Sequence, residues 1–161
     1  MADNSMSMLR VGAKLKLFVS YSRLDVTAAD ALVANLEANS FEVTIDRRDL
    51  PYGEEWQREL ADFIRSADAV VWLVSPDSIA SRWCKWELGE VGRLGKRLLP
   101  VRIREFDPET LPEALGRIHL LPADGTFHSE THLPALIEAV RDQDIIYHVA
   151  GLVAARDEAE F

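Results

Sequence analysis

Ala69-Val70-Val71-Trp72-Leu73-Val74 is the longest purely apolar run in the chain, and Ser75-Pro76 closes it. An unbroken run of this kind suits the central strand of a parallel sheet that is covered on both faces. It is far shorter than the ~20 residues needed to span a bilayer. The segments on either side repeat a strand-then-helix pattern. Upstream, Leu15, Leu17 and Val19 make a short β-rich run ending at Ser20-Tyr21-Ser22. Thr27-Ala28-Ala29-Asp30 has capping-box form, and Ala29, Leu32, Val33 and Leu36 follow at helical spacing to about Asn39. Phe41 to Ile45 reads as a second strand. The charged stretch from Asp46 to Gly53, with Pro51 and Gly53, reads as a loop. Trp56, Leu60, Phe63 and Ile64 form the next helical stripe.

Downstream of the apolar run, a single helix is expected from about Ser78 to Gly95, then a strand over Leu98 to Ile103. Ile118-His119-Leu120-Leu121 reads as a short fifth strand, and Leu133, Leu136, Ile137 and Val140 as a last helix. Alternation of this kind predicts an α/β fold. The expected form is a flavodoxin-like three-layer sandwich, with a five-stranded parallel sheet in order 2-1-3-4-5 and helices on both faces. Residues 1–13 read as a flexible leader and 14–142 as one domain. Residues 143–161 read as a helical tail or the start of a linker.

The chain has 161 residues, enough for one ordinary domain. Its 48% hydrophobic and 28% charged composition is that of a soluble globular protein. Its net charge of −9 speaks against wrapping nucleic acid or docking on anionic membrane. The first residues lack an apolar signal core, and one cysteine, Cys84, excludes an intrachain disulfide and a multi-cysteine metal cage. A cytoplasmic location is the expectation.

The familiar catalytic fingerprints are missing. No Gly-x-Gly-x-x-Gly follows the first strand. Gly95-Lys96 lacks the remaining P-loop residues, with Glu90 and Arg97 in their places. There is no Gly-x-Ser-x-Gly elbow. His128 and His132 are spaced to share a metal, but polar residues in a loop entering a helix is the favoured reading, and no metal is expected. A phosphoacceptor receiver needs carboxylates at the ends of strands one and three, where this chain has Ser20 and Ser75.

Ser81-Arg82-Trp83-Cys84-Lys85-Trp86-Glu87-Leu88 stands out. At roughly 100° per residue, Cys84, Leu88, Val91 and Gly95 share the face that packs on the sheet. Trp83 and Glu87, one turn apart, lie at the edge of that face, and Trp86 points further from it. An aromatic and a carboxylate therefore project together toward a crevice rim. In a doubly wound sheet, ligands sit beyond the strand C-termini where the strand order reverses, here between strands one and three. Tyr21-Ser22-Arg23 leaves strand one at that point, and the loop from Asp46 leaves strand two on the same edge.

Phe18-Val19-Ser20-Tyr21-Ser22 resembles the opening motif of Toll/interleukin-1 receptor (TIR) domains. Asp46-Arg47-Arg48-Asp49-Leu50-Pro51-Tyr52-Gly53, followed by Trp56, resembles their BB loop. Ser75-Pro76 and Trp83-Cys84-x-x-Glu87-Leu88 match their third-strand and following-helix motifs. The resemblance covers about Lys14 to Val140 and is closer to the bacterial and plant-type, NAD-cleaving subgroup than to receptor adaptors.

Family members with a glutamate at the Glu87 position hydrolyse NAD, releasing nicotinamide and giving ADP-ribose or cyclic isomers. The resemblance thus implies an NAD+ glycohydrolase or cyclase in an immune or defence signalling protein, with Glu87 catalytic. It implies substrate contacts from Trp83, Tyr21, Ser22, Arg23, Asp46 and Arg47, with Arg48 also near the diphosphate. NAD+ is then a substrate, and no cofactor is required. It further implies head-to-tail association with other TIR domains through Asp49, Leu50, Pro51, Tyr52 and Gly53. Other family members are non-enzymatic scaffolds, which is the alternative function.

Overall fold

The computed structural model describes residues 14–46, 53–112 and 120–142, with the backbone alone for 53–55. Four strands, β1 (Lys16–Ser20), β2 (Glu42–Ile45), β3 (Ala69–Val74) and β4 (Arg97–Arg102), form one parallel sheet in the order β2-β1-β3-β4. The apolar run is β3, with all six residues buried. Its side chains alternate between two cores. Val70, Trp72 and Val74 meet the helices α2 (Gly53–Ser66), α3 (Pro76–Ala80) and α4 (Arg82–Leu94) on one face. Ala69, Val71 and Leu73 meet α1 (Val26–Ala38) and α5 (Ser129–Arg141) on the other. The three layers and the parallel sheet agree with the sequence reading.

The expected fifth strand is not formed among the described residues. Ile118 and His119 lie outside them, and Leu121 makes a single parallel bridge with Val101. Leu121 N–H donates to Pro100 O at 3.0 Å, and Arg102 N–H donates to Leu121 O at 2.8 Å. Residues 122–125 then bend away from the strand direction. Among the described residues, the fifth position of the sheet is held by Leu121 alone.

Two helix starts also differ from expectation. A 3-10 turn at Arg23–Asp25 precedes α1 and is capped by the Ser22 hydroxyl, so Thr27 is already helical and caps nothing. The helix expected from Ser78 to Gly95 is two helices, because Ser81 is extended (ψ 124°) and caps α4 through Cys84 N–H. Ser75 caps α3 reciprocally with Ser78. Gly53 opens α2 rather than ending a loop. The leader, residues 47–52 and the tail from 143 lie outside the described residues.

Candidate functional site

The strand order reverses between β1 and β3, so their C-terminal ends diverge into a crevice. A cavity of about 290 Å³ lies there, lined by Tyr21, Ser22, Arg23, Asp46, Ser81, Trp83 and Glu87. Six of the seven residues expected to act on substrate are thus brought together. Arg47 lies outside the described residues, as do Arg48, Asp49, Leu50, Pro51 and Tyr52.

Each wall has a local cause. Tyr21 leaves β1, and its hydroxyl donates to the backbone carbonyl of Asp46 at 2.7 Å, tying the ends of β1 and β2 together. Arg23, on the 3-10 turn, reaches the Asp46 carboxylate at 3.4 Å. Ser22 is occupied in capping that turn, its hydroxyl accepting from Leu24 N–H. Ser81 breaks the α3–α4 segment at the cavity edge, so the first two turns of α4 carry Trp83 and Glu87 to the ends of the strands.

Glu87 departs from expectation. It was placed at an exposed rim, and it is only 5% exposed. Its Oε1 accepts a hydrogen bond from the Ser20 hydroxyl at 2.9 Å. Burial pushes its carboxyl up to about 8, against an ordinary 4.5. Ser20 and Arg23 pull it down, and the Asp46 charge raises it further. The physical reason for the misplacement is that α4 packs on both the sheet and α2, so more than one stripe is covered. The same packing reverses the two tryptophans. Trp86 is 4% exposed in the core, whereas Trp83 is half-buried. Trp83 stands edge-on to Trp56 (6.4 Å between rings) and to Trp86 (6.1 Å).

Cys84 is buried, and its thiol is pushed up to about 12, chiefly by burial and then by Glu87. A thiol so protonated is no nucleophile. Ser20 and Ser81 touch this site and were not among the expected residues. Ser20 is 67 positions from Glu87, so only the folded topology could pair them. Beside them Asp25, also buried, accepts from Ser75 Oγ at 2.5 Å and from Arg104 Nε at 2.8 Å, joining the ends of β1, β3 and β4. Arg104 also pairs with Asp77.

The TIR domain family model matches residues 17–137. The chain belongs to the TIR domain family. Mouse Toll-like receptor 6 is 32% identical over 72 residues, which is 44% of this chain and 9% of the receptor. The chain therefore spans a small fraction of that relative's length. The TIR domain of the Toll-related receptor TRR-2 from Hydra magnipapillata superposes with a TM-score of 0.63 at 19% identity, covering 78% of this chain and 98% of that one. A metazoan TIR-STING receptor from C. gigas gives 0.59 at 22% identity, covering 78% and 40%. The TIR domains of the activated Roq1 resistosome give 0.50 at 18% identity, covering 91% and 83%. At these identities the structural likeness is one of fold.

Elsewhere on this TIR domain, a larger, shallower groove of about 700 Å³ runs along α5, beside Leu133, Pro134 and Ile137. It shares no residue with the Glu87 cavity. His128 N–H donates to His132 Nδ1 at 2.9 Å, which makes His132 a cap for the first turn of α5. Among the described residues no helix is long and apolar enough to cross a membrane.

The tryptophan geometry gives a prediction. Trp86→Ala empties the core and should cost about 3–5 kcal/mol. Trp83→Ala, half-exposed, should cost clearly less but remove one wall of the cavity. Melting curves beside steady-state kinetics separate the two. If the TIR domain cleaves NAD+, Trp83→Ala should lose more activity than its loss of stability accounts for. Activity losses that simply follow the two melting shifts would make Trp83 a packing residue.

Proposed function

We propose that this TIR domain is an NAD+ glycohydrolase or cyclase that breaks the bond between nicotinamide and ribose, with Glu87 as the catalytic carboxylate. The observation that carries the proposal is an acid buried at the strand ends and lining a cavity with an aromatic wall. A buried carboxyl opposes folding unless it is compensated. A pure scaffold has no use for one in a cavity, whereas a cationic substrate supplies the missing compensation.

The chemistry follows from charge. The nicotinamide ring of NAD+ is already cationic. As the C1′–N bond breaks, its electron pair goes to the ring nitrogen, and nicotinamide leaves neutral without a general acid. The ribose develops oxocarbenium charge, which the Glu87 carboxylate stabilises. Water captures the cation to give ADP-ribose, or a nucleophile of the same molecule gives a cyclic isomer. Trp83 supplies a face for the ring, and Arg23 lies at the mouth for the diphosphate. A cavity of about 290 Å³ is at the small end for a ligand site. It suits the nicotinamide-ribose end, so the remaining half of NAD+ extends out past Asp46. Incubating the chain with NAD+ and resolving nicotinamide by chromatography, with and without a crowding agent, tests this reading. No nicotinamide under either condition refutes it.

The subgroup reading, bacterial or plant-type, rests on the wording of Asp46 to Gly53 and of Trp83-Cys84-x-x-Glu87-Leu88. The same reading places the protein in the cytoplasm, in immune or defence signalling, with other TIR domains as partners. Scaffolding by head-to-tail contact is compatible with catalysis and is the second reading. Leu50, Pro51 and Tyr52 are the chief apolar residues between Asp46 and Gly53, and a chain of charge −9 repels its copies. Association is therefore expected to be weak, and open-ended when it occurs. Specific activity should rise from nanomolar to high micromolar protein, and Leu50→Asp should abolish the rise. A flat profile would leave a self-sufficient monomer.

A further inference from the structure

Ser20 ends β1 between its two neighbouring strands, in register with Trp72 of β3, and is fully buried. Its backbone is therefore fixed by the centre of the sheet. Its hydroxyl donates to Glu87 Oε1 at 2.9 Å, across from β1 to α4. The Ser20 hydrogen is thereby directed at Glu87. The other charged groups acting on Glu87 are Asp46 at the end of β2 and Arg23 on the 3-10 turn. Those two pair with each other at the mouth, so neither holds the carboxylate in place.

We propose that Ser20 is the positioning residue of this site: the hydrogen bond from the end of β1 fixes the Glu87 carboxylate at the cavity and favours its charged form. This rests on the reading of Glu87 as the catalytic group, and it adds a residue that touches no substrate. With Oε1 committed to Ser20, Oε2 is the oxygen offered to the cavity. The sheet, rather than the flexible end of a glutamate side chain, then sets where the developing ribose charge meets its counter-charge.

The test is a carboxyl-carbon NMR titration of the full chain labelled at glutamate, in the wild type, Ser20→Ala and Ser20→Cys. The Glu87 signal is identified by its loss in Glu87→Gln. A hydrogen bond to the charged form lowers a carboxyl pKa. Its removal in Ser20→Ala should therefore raise the Glu87 midpoint by about one pH unit. Ser20→Cys, close in size with a weaker donor, should fall between. An unmoved midpoint in folded Ser20→Ala overturns the proposal. If that variant does not fold, an unmoved midpoint in Ser20→Cys overturns it equally. The titration uses no NAD+, so the two readings fail separately. A shifted titration without nicotinamide release from any variant refutes the glycohydrolase and upholds the Ser20–Glu87 coupling. An active wild type with an unmoved titration refutes Ser20 and upholds the glycohydrolase. In an active enzyme, the rise of kcat/KM with pH should move by the same amount as the midpoint, which a purely packing role for Ser20 would not produce.

Discussion

Glu87→Gln is expected to stabilise the folded chain at alkaline pH, by an amount that grows with pH and then levels off. Burial raises the Glu87 carboxyl to about 8, against an ordinary 4.5. Between these two values the folded state keeps a proton that the unfolded state has lost. Stability then falls as pH rises, by about 1.4 kcal/mol per pH unit. The fall starts near the ordinary carboxyl value, where both states are protonated, and ends near 8, where both are ionised. Over the whole window the contribution is ~5 kcal/mol. Glutamine has nearly the shape of the protonated acid and no proton to lose, and its amide can still meet the Ser20 hydroxyl. Chemical denaturation of both proteins from about pH 5 to about pH 9 checks this. The two stabilities should diverge with rising pH, the variant above. Parallel curves would mean that Glu87 ionises freely in the folded state and is not the buried acid described above.

The second large effect is on catalysis. Glu87→Ala should lower NAD+ cleavage by roughly a thousandfold or more. A unit charge pair at ~4 Å is worth about 4 kcal/mol at an effective dielectric near 20, and about 1 in bulk water. Four kcal/mol is close to a factor of 1000 in rate, at about 1.4 kcal/mol per tenfold. The full effect therefore requires the partly closed cavity formed by Trp83, Tyr21 and Ser81. Because the Gln variant is expected to be the more stable protein, its loss of turnover cannot be ascribed to unfolding, and it is the necessary companion to Ala. Nicotinamide release under single-turnover conditions checks both. Wild-type turnover in either variant would remove Glu87 from the chemistry.

A parallel sheet covered on both faces, with β3 in its interior, was legible in the sequence because β3 is apolar on both faces and the flanking helices carry period-3.6 stripes. The fifth strand was overread. Among the described residues Leu121 makes one bridge, and residues 122–125 bend away at once. The break at Ser81 was hidden because serine is tolerated within a helix, and only the cap it gives to Cys84 N–H shows its role. Trp83 and Glu87 were found from their spacing and their place at the switch point. Their burial was not, since a helical wheel shows one packed face and α4 has a second against α2. Ser20 and Asp25 were invisible as a network. Their partners Glu87, Ser75 and Arg104 are 67, 50 and 79 positions away, and no local pattern records contacts made by the closing of a sheet.

The measurement closest to the central claim is the pH profile of kcat/KM for nicotinamide release, from about pH 6 to about pH 10, in the wild type and Glu87→Gln. The free enzyme needs the ionised acid, so the wild-type profile should rise tenfold per pH unit and level off above a midpoint near 8. Glu87→Gln should show no such rise and stay near background throughout. A wild-type enzyme whose activity is flat across that range, or a Glu87→Gln variant that follows the same curve, would contradict the assignment of Glu87 as the catalytic carboxylate.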